Sequence, residues 1–440
     1  MIWPSPYADV SIPDVSLSQL VLERAAKRGD KPALIDGSTG RVVTNRQFHD
    51  RVYLVAASLS RRGFEKGTVL AVYSPNTPEY AIVLYAVALL GGVSTTANPL
   101  LTAGELTTQL ADAGAVYLVT VPVLLDTAAE AAKRAGRIRE IIVFGEAPGA
   151  TPFDSLLEEG GPVPQVAIDP KEDLAALPYS SGTTGLNKGV MLTHRNLVAN
   201  LCQIEPYNII TEQDTILGLL PFYHIYGMVC TLHGALYVGA TVVTMPRFDL
   251  DSFLETLERY RITVAQLVPP IILALAKHPS VAGYDLFSLR LINSGAAPLD
   301  SELAGAAGER LGCLVTQGYG LTETSPVTHF NPTGTPAGSV GPPVPNTECR
   351  IVDPDTGAAL RSIEEGEILI RGPQVMKGYL NDPEATARTL DPNGWLHTGD
   401  LGYADEEGRF YIVDRIKELI KYKGYQVAPA ELEAVLLSHP

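Results

Sequence analysis

Cysteine is scarce in this chain. Cys202, Cys230, Cys313 and Cys349 are far apart and form no CxxC pair. That excludes a disulfide framework or a paired-thiol zinc site and fits a reducing cytosol, so a cytoplasmic location is expected. Positive charge is short as well. Lys and Arg number 33 against 49 Asp and Glu, a net charge of −16. Such a surface repels nucleic acid and anionic membranes, so an anionic substrate requires a local basic site. Long apolar runs are missing: the longest, Tyr80 to Leu90, is too short to cross a bilayer and reads as a buried helix. The opening MIWPSPYADVSIPDVS has no basic region followed by an apolar one, so no secretory signal is expected. What is present is ordinary for a globular protein: 46% hydrophobic and 19% charged residues. At 440 residues the chain is too long for one simple core, and two or three domains are expected.

Strand-like and helix-like segments alternate along the first part. KPALID, TVLAVYS, GVSTTAN, AVYLVT and EIIVFG read as strands. Thr44 with Gln47, and Thr102 with Glu105, form capping-box patterns that open helices. TILGLLPF, ATVVTMP, ITVAQLVPP and RLINSG continue the alternation, with a helix over 250–260. The pattern predicts an α/β fold: a large N-terminal domain of two α/β subdomains with mostly parallel sheets. From about Gly338 the texture changes to short strands with Gly, Asp and Pro turns (TECRIVD, GEILIRG, GWLHTGDLGYAD, GRFYIVD), which predicts a small β-barrel subdomain. The expected division is 1–337, then 338–414 for the barrel, then 415–440 for a hinge and the start of an α+β C-terminal domain, with a helix after Pro429.

The stretch YSSGTTGLNKGVMLTHRNL, from Tyr179 to Leu197, departs from this regularity. One reading is a plain surface loop. The other is a cradle for a polyphosphate, in which glycines let backbone N–H groups converge on an anion, hydroxyls add donors and Lys188 adds charge. It is not the Walker pattern, because Asn187 stands where the second Gly should be and Gly189 where Ser or Thr should be.

Other motifs decide between these readings. SSGTTGLNKGV, QGYGLTET (317–324), GWLHTGD (394–400) and VDRIKELIKYKGYQVAPAELE (413–433) occur in this order. The set resembles the adenylate-forming superfamily of acyl-CoA synthetases, peptide-synthetase adenylation domains and beetle luciferases. It is most similar to 4-coumarate:CoA ligase-like enzymes, through PFYHIYGM, MPRFDL, LVPPIILALAKHP and LIKYKGYQVAPAELE. The resemblance spans nearly the whole chain. It implies ATP, Mg²⁺ and coenzyme A as cofactor and co-substrates, a small carboxylic acid as the other partner, and a monomer or homodimer.

The resemblance also implies roles. Ser180, Ser181, Gly182, Thr183, Thr184, Gly185 and Lys188 would cover the phosphates, with Thr183 among the catalytic residues. Asn187 departs from the family's proline. Gly295, Ala296 and Ala297 would back the adenine, Gln317 and Gly318 would line the nucleotide site, and Tyr319 would stack on the base. Thr322 would touch the α-phosphate, and Thr184 and Glu323 would hold Mg²⁺. Asp400 would accept from the ribose hydroxyls, beside Arg415, with Lys417 at the hinge. His224 would lie between the carboxylate and the pantetheine route. Lys421 and Gln426 would enter for the second half-reaction, and Arg247, Lys423 and Gly424 would meet coenzyme A. His224, Tyr226, Cys230, Gly295, Ala296, Gly318, Gly320, Pro326 and Val327 would line the acyl pocket.

The implied reaction activates a carboxylate as its acyl-adenylate with release of pyrophosphate, then passes the acyl group to the coenzyme A thiol. Small and apolar pocket residues suit a flat aryl-propenoic acid of the cinnamate or coumarate type, and also a medium-chain fatty acid. The family's lysine near the end of the C-terminal domain has no counterpart before Pro440. Impaired thioester formation by this chain is therefore expected, and a non-catalytic nucleotide-binding protein is the rival of a different class. A peptide-synthetase adenylation domain is disfavoured because FYHIYGM offers no acid for an amino group. Nothing in the sequence selects a luciferase.

Overall fold

The computed structural model describes residues 1–158, 160–180, 187–332 and 338–416, together with the backbone of the strands Ile420–Tyr422 and Tyr425–Val427. Two large sheets carry helices on their faces. In the eight-stranded sheet the order is Val327–Phe330, Leu314–Gly320, Leu291–Ser294, Val264–Leu267, Thr215–Gly218, Thr241–Thr244, Pro32–Asp36, Val42–Thr44. Its six inner strands run parallel, and both outer strands are antiparallel to their neighbours. The nine-stranded sheet has a parallel centre formed by Val93–Ala97, Val69–Tyr73, Tyr117–Thr120 and Glu140–Val143. Its far edge is antiparallel: Lys188–Thr193 pairs with Leu174–Ala176, with Tyr179–Ser180 and with Gly378–Tyr379.

The helices start where the side chains dictate. Both capping boxes form: the Thr44 and Thr102 hydroxyls accept from the backbone N–H three residues on, and Gln47 and Glu105 reach back. In the helix Pro78–Leu89, Thr77 caps the start, Pro78 occupies the first turn, and apolar residues surround the axis. A helix apolar on every side must be buried on every side. Tyr80, Ile82 and Val83 accordingly share one core with Val72 and Val119 of the nine-stranded sheet and with Leu34 and Val242 of the eight-stranded one. The two α/β units therefore share a common interior.

The β-rich stretch forms a five-stranded antiparallel sheet ordered Trp3–Pro4, Glu348–Val352, Gly366–Arg371, Leu396–Ala404, Phe410–Arg415. Register shifts at Glu367/Leu369 and Leu401/Gly402 give it curvature. Its first strand comes from the extreme N-terminus, where Trp3 packs edge-on against Phe410. The strands Ile420–Tyr422 and Tyr425–Val427 form a separate ribbon in which Lys421 lies opposite Gln426. Among the described residues no helix is long and apolar enough to cross a membrane. The helix expected after Pro429 lies outside the described residues.

Candidate active site

Parallel strands expose the ends of their backbones at the carboxyl edge, and α/β proteins place ligands in the crevice outside that edge. Here Val264–Leu267, Leu291–Ser294 and Leu314–Gly320 deliver Gln266, Asn293 and Gly318 to one rim of a cavity of about 450 Å³. The other walls come from Ser180 and from the π-helical turn Tyr226–His233. That turn carries Tyr226 and Cys230 on its cavity side. Wide helical turns of this kind recur at functional sites.

One end of the cavity is rigid. The Tyr226 hydroxyl, with one proton to give, stands 2.8 Å from the Asn293 carbonyl and 3.0 Å from Gln266 Oε1, and accepts from Asn293 Nδ2 at 3.3 Å, while the same Nδ2 donates to Gln266 Oε1 at 2.8 Å. The phenol is thus engaged within the wall that Tyr226 lines. Gly295 makes this possible, since a Cβ there would lie 2.7 Å from the Tyr226 ring. Gly320 is equally constrained: a Cβ would stand 1.9 Å from the Pro326 carbonyl oxygen. Ala296 lines the cavity with a φ of 70°, a left-handed backbone that costs a non-glycine residue on the order of 1 kcal/mol. Cys230 is buried, and burial pushes its thiol up to about 12, so it acts as a small apolar residue.

His224 opens onto the cavity. Its Nδ1 accepts from the Tyr226 backbone N–H at 3.2 Å, which leaves the neutral ring with its proton on Nε2. The surrounding protein lowers its pKa by desolvation, which favours the neutral form.

At the opposite end Glu323 is 6% exposed. Its Oε1 accepts from the Ser180 hydroxyl at 2.9 Å and from the Tyr379 hydroxyl at 2.8 Å. Oε2 has no hydrogen-bond partner among the described residues. Those residues contain no cluster of three or more His, Cys, Asp or Glu suited to a metal. A single oriented carboxylate nonetheless fits Mg²⁺, which prefers one or two carboxylates, water and substrate phosphates to an all-protein cage.

Tyr319 also faces the cavity, and its hydroxyl donates to Asp400 at 2.6 Å. Asp400, 3% exposed, is also ion-paired with Arg415, whose Nε lies 3.2 Å from its Oδ1. The cavity wall therefore brings together Ser180, His224, Tyr226, Cys230, Gly295, Ala296, Gly318, Tyr319, Gly320, Thr322, Glu323, Pro326, Val327 and Arg415. Asp400 stands behind it, bonded to Tyr319, and Ala297, which is exposed, follows Ala296 without lining the wall. Gln317 is placed differently from the expectation: its amide accepts from the Leu299 N–H and donates to the Ser339 carbonyl, so it braces the wall rather than lining it. Arg247 is exposed in the connection after Thr241–Thr244 and is not among the residues that line the cavity. Ser181, Gly182, Thr183, Thr184, Gly185, Lys417, Lys423 and Gly424 lie outside the described residues, as do the side chains of Lys421 and Gln426. The sequence reading missed Tyr379, Gln266, Asn293 and an apolar extension formed by Leu201, Ile204, Ile209, Ile210 and Val238. No motif marks them, since they converge only on folding.

A family model described as AMP-binding enzyme matches residues 21–380. The chain belongs to this AMP-binding enzyme family and is an adenylate-forming enzyme. Among curated proteins it is similar to 4-coumarate–CoA ligase 5 of Oryza sativa subsp. japonica, 44% identical over 451 residues, covering 100% of this chain and 83% of that one. It is likewise similar to 4-coumarate–CoA ligase 2 of Petroselinum crispum, 42% identical over 454 residues with the same coverage. Among solved structures it resembles ATP-bound MatB from Rhodopseudomonas palustris, with a TM-score of 0.86 and 30% identity over 97% of this chain and 84% of that one. It also resembles the anthranilate CoA ligase AuaEII in complex with anthranoyl-AMP, with a TM-score of 0.89 and 26% identity over 97% of this chain and 82% of that one.

Proposed function

We propose that this protein is an acid–CoA ligase for an aryl-propenoic acid of the cinnamate or 4-coumarate type. The observation that carries the reading is the shape of the cavity. One end offers a buried, oriented carboxylate and the flanks of a Ser/Thr/Gly segment, and the other a rigid apolar slot beside Tyr226 and Gly295. Whole-chain similarity to 4-coumarate–CoA ligases supports it.

In the first step a carboxylate oxygen of the acid attacks the α-phosphorus of ATP, the bond to the bridging oxygen breaks, and pyrophosphate leaves. In the second the thiol sulfur attacks the acyl carbon, the bond to the phosphate oxygen breaks, and AMP leaves. The chain's part in the first step is positioning and charge stabilisation. Ser180, Lys188 and the segment 181–185 would serve the phosphates, and Thr322 would meet the α-phosphate. Glu323, with Thr184, would hold Mg²⁺, which supplies charge neutralisation on the phosphate oxygens. Tyr319 stacks on adenine against Gly295–Ala297, and Asp400 and Arg415 hold the ribose. His224, neutral with Nε2–H toward the cavity, donates to the acid's carboxylate. Lys417 serves as hinge, Lys421 and Gln426 join for thioester formation, and Arg247, Lys423 and Gly424 meet coenzyme A. The division at 1–337, 338–414 and 415–440 and a cytoplasmic location belong to the same reading.

A second substrate class, medium-chain alkanoic acids, is supported by the further apolar residues that line the cavity, Leu201, Ile204, Ile209, Ile210 and Val238. Pyrophosphate release measured over cinnamate, 4-coumarate and medium-chain alkanoates separates the two. Highest kcat/KM on the aryl-propenoates is expected. Preference for alkanoates selects the second reading, and preference for amino acids overturns both.

A further inference from the structure

We propose that Tyr379 is a positioning residue: its hydroxyl orients Glu323 for the metal-bound nucleotide while its ring holds the phosphate-facing Lys188, so that both flanks of the 181–187 segment are tied to one point. This rests on the ATP-site reading above.

Tyr379 comes from the two-residue strand Gly378–Tyr379, which pairs with Lys188–Thr193 so that Tyr379 lies opposite Val190. Lys188 is two residues from Val190, on the same face of its strand and diagonal to Tyr379. That register accounts for the Lys188 Nζ sitting 5.0 Å from the centre of the Tyr379 ring, within the range of an attractive cation–ring contact. Across the other edge, Lys188 pairs with Ser180. The Ser180 and Tyr379 hydroxyls then converge on the same oxygen, Glu323 Oε1, at 2.9 and 2.8 Å.

Two donors on Oε1 fix the rotation of the carboxyl group and leave Oε2 as the oxygen available to a cation. Tyr379 is itself immobilised. It is 7% exposed, and its own N–H donates to Thr386 at 2.9 Å. Partners of this kind behind a metal ligand typically change metal affinity or activity roughly 10–100-fold when removed.

The test is calorimetric titration of the full chain and its Tyr379→Phe variant with Mg·ATP, with ATP in EDTA, and with a non-hydrolysable acyl-adenylate analogue. Phe keeps the ring and the packing and deletes only the hydroxyl. The expected result is Mg·ATP affinity weakened about tenfold or more, with metal-free ATP and the analogue within about twofold of the parent. Ser180→Ala should shift Mg·ATP in the same direction. The double variant should lose less than the sum, because both hydroxyls act through one oxygen. Equal losses for Mg·ATP and metal-free ATP would make Tyr379 a packing residue and overturn the proposal, as would an unchanged Mg·ATP affinity. Failure of the parent chain to bind ATP in any form would instead overturn the site reading itself.

Discussion

Gly295→Ala is the sharpest probe of the acyl wall. An added methyl would stand 2.7 Å from Tyr226 Cε1 and 2.9 Å from Cζ, closer than real Cβ atoms approach. The ring cannot swing aside freely, because its hydroxyl is held by Gln266 and the Asn293 carbonyl. Forcing a methylene-sized group into a packed site costs about 1–3 kcal/mol, and straining those hydrogen bonds adds about 1 kcal/mol each at most. A displaced ring narrows the slot for the acid, so about 1.4–2.8 kcal/mol of lost binding corresponds to about a 10–100-fold rise in KM for the acid. Gly295 backs the adenine as well, but the added methyl would meet only the Tyr226 ring, so the KM for ATP should move less than that for the acid. Pyrophosphate release at varied acid and varied ATP measures both, and a thermal melt reads the strain. Combined with Tyr226→Val, which alone is destabilising because it empties the wall, Gly295→Ala should cost less than it does alone, since the added methyl then meets no ring. An unchanged acid KM and an unchanged melt in Gly295→Ala would refute the packed-wall argument, and equal losses for acid and ATP would refute the assignment of this wall to the acid.

Val238→Phe fills the far end of the apolar extension and should reduce turnover of medium-chain alkanoates at least about tenfold while sparing cinnamate; equal effects on both would mean the acid does not reach Val238. Acid sensitivity should come from buried histidines. Burial lowers His194 to about 4 and both His233 and His329 to about 3. The folded values are depressed, so this stability is present in full above the ordinary histidine value near 6.5, and is lost as pH falls because the unfolded chain takes up protons first. The loss should approach about 1.4 kcal/mol per pH unit for each histidine between about pH 6.5 and 5. His329→Gln should flatten the dependence of melting temperature on pH in that window; an unaltered slope contradicts the burial argument.

Much of the fold could be read locally because its determinants are local. Thr44 with Gln47 and Thr102 with Glu105 specify helix starts within four residues, and the apolar run at 80–90 has only one way to satisfy all its faces. Long-range pairing was not legible. Pro32–Asp36 lies early in the chain yet joins the eight-stranded sheet beside Thr241–Thr244, and Trp3–Pro4 closes the edge of a sheet that otherwise begins at Glu348. The loop motifs pointed to Glu323 and Tyr319, whereas Tyr379, 56 residues from Glu323, is an ordinary buried tyrosine until the strands pair. Gln317 shows the converse: a motif position whose backbone stands near the site while its amide braces Leu299 and Ser339.

The central claim is that this cavity joins a carboxylic acid to AMP. Exchange of labelled pyrophosphate into ATP, measured without coenzyme A, tests it directly. The account predicts exchange that requires both Mg²⁺ and an aryl-propenoic acid and that collapses in Glu323→Gln. Exchange independent of any acid, or ATP cleaved to ADP and phosphate instead, would contradict it.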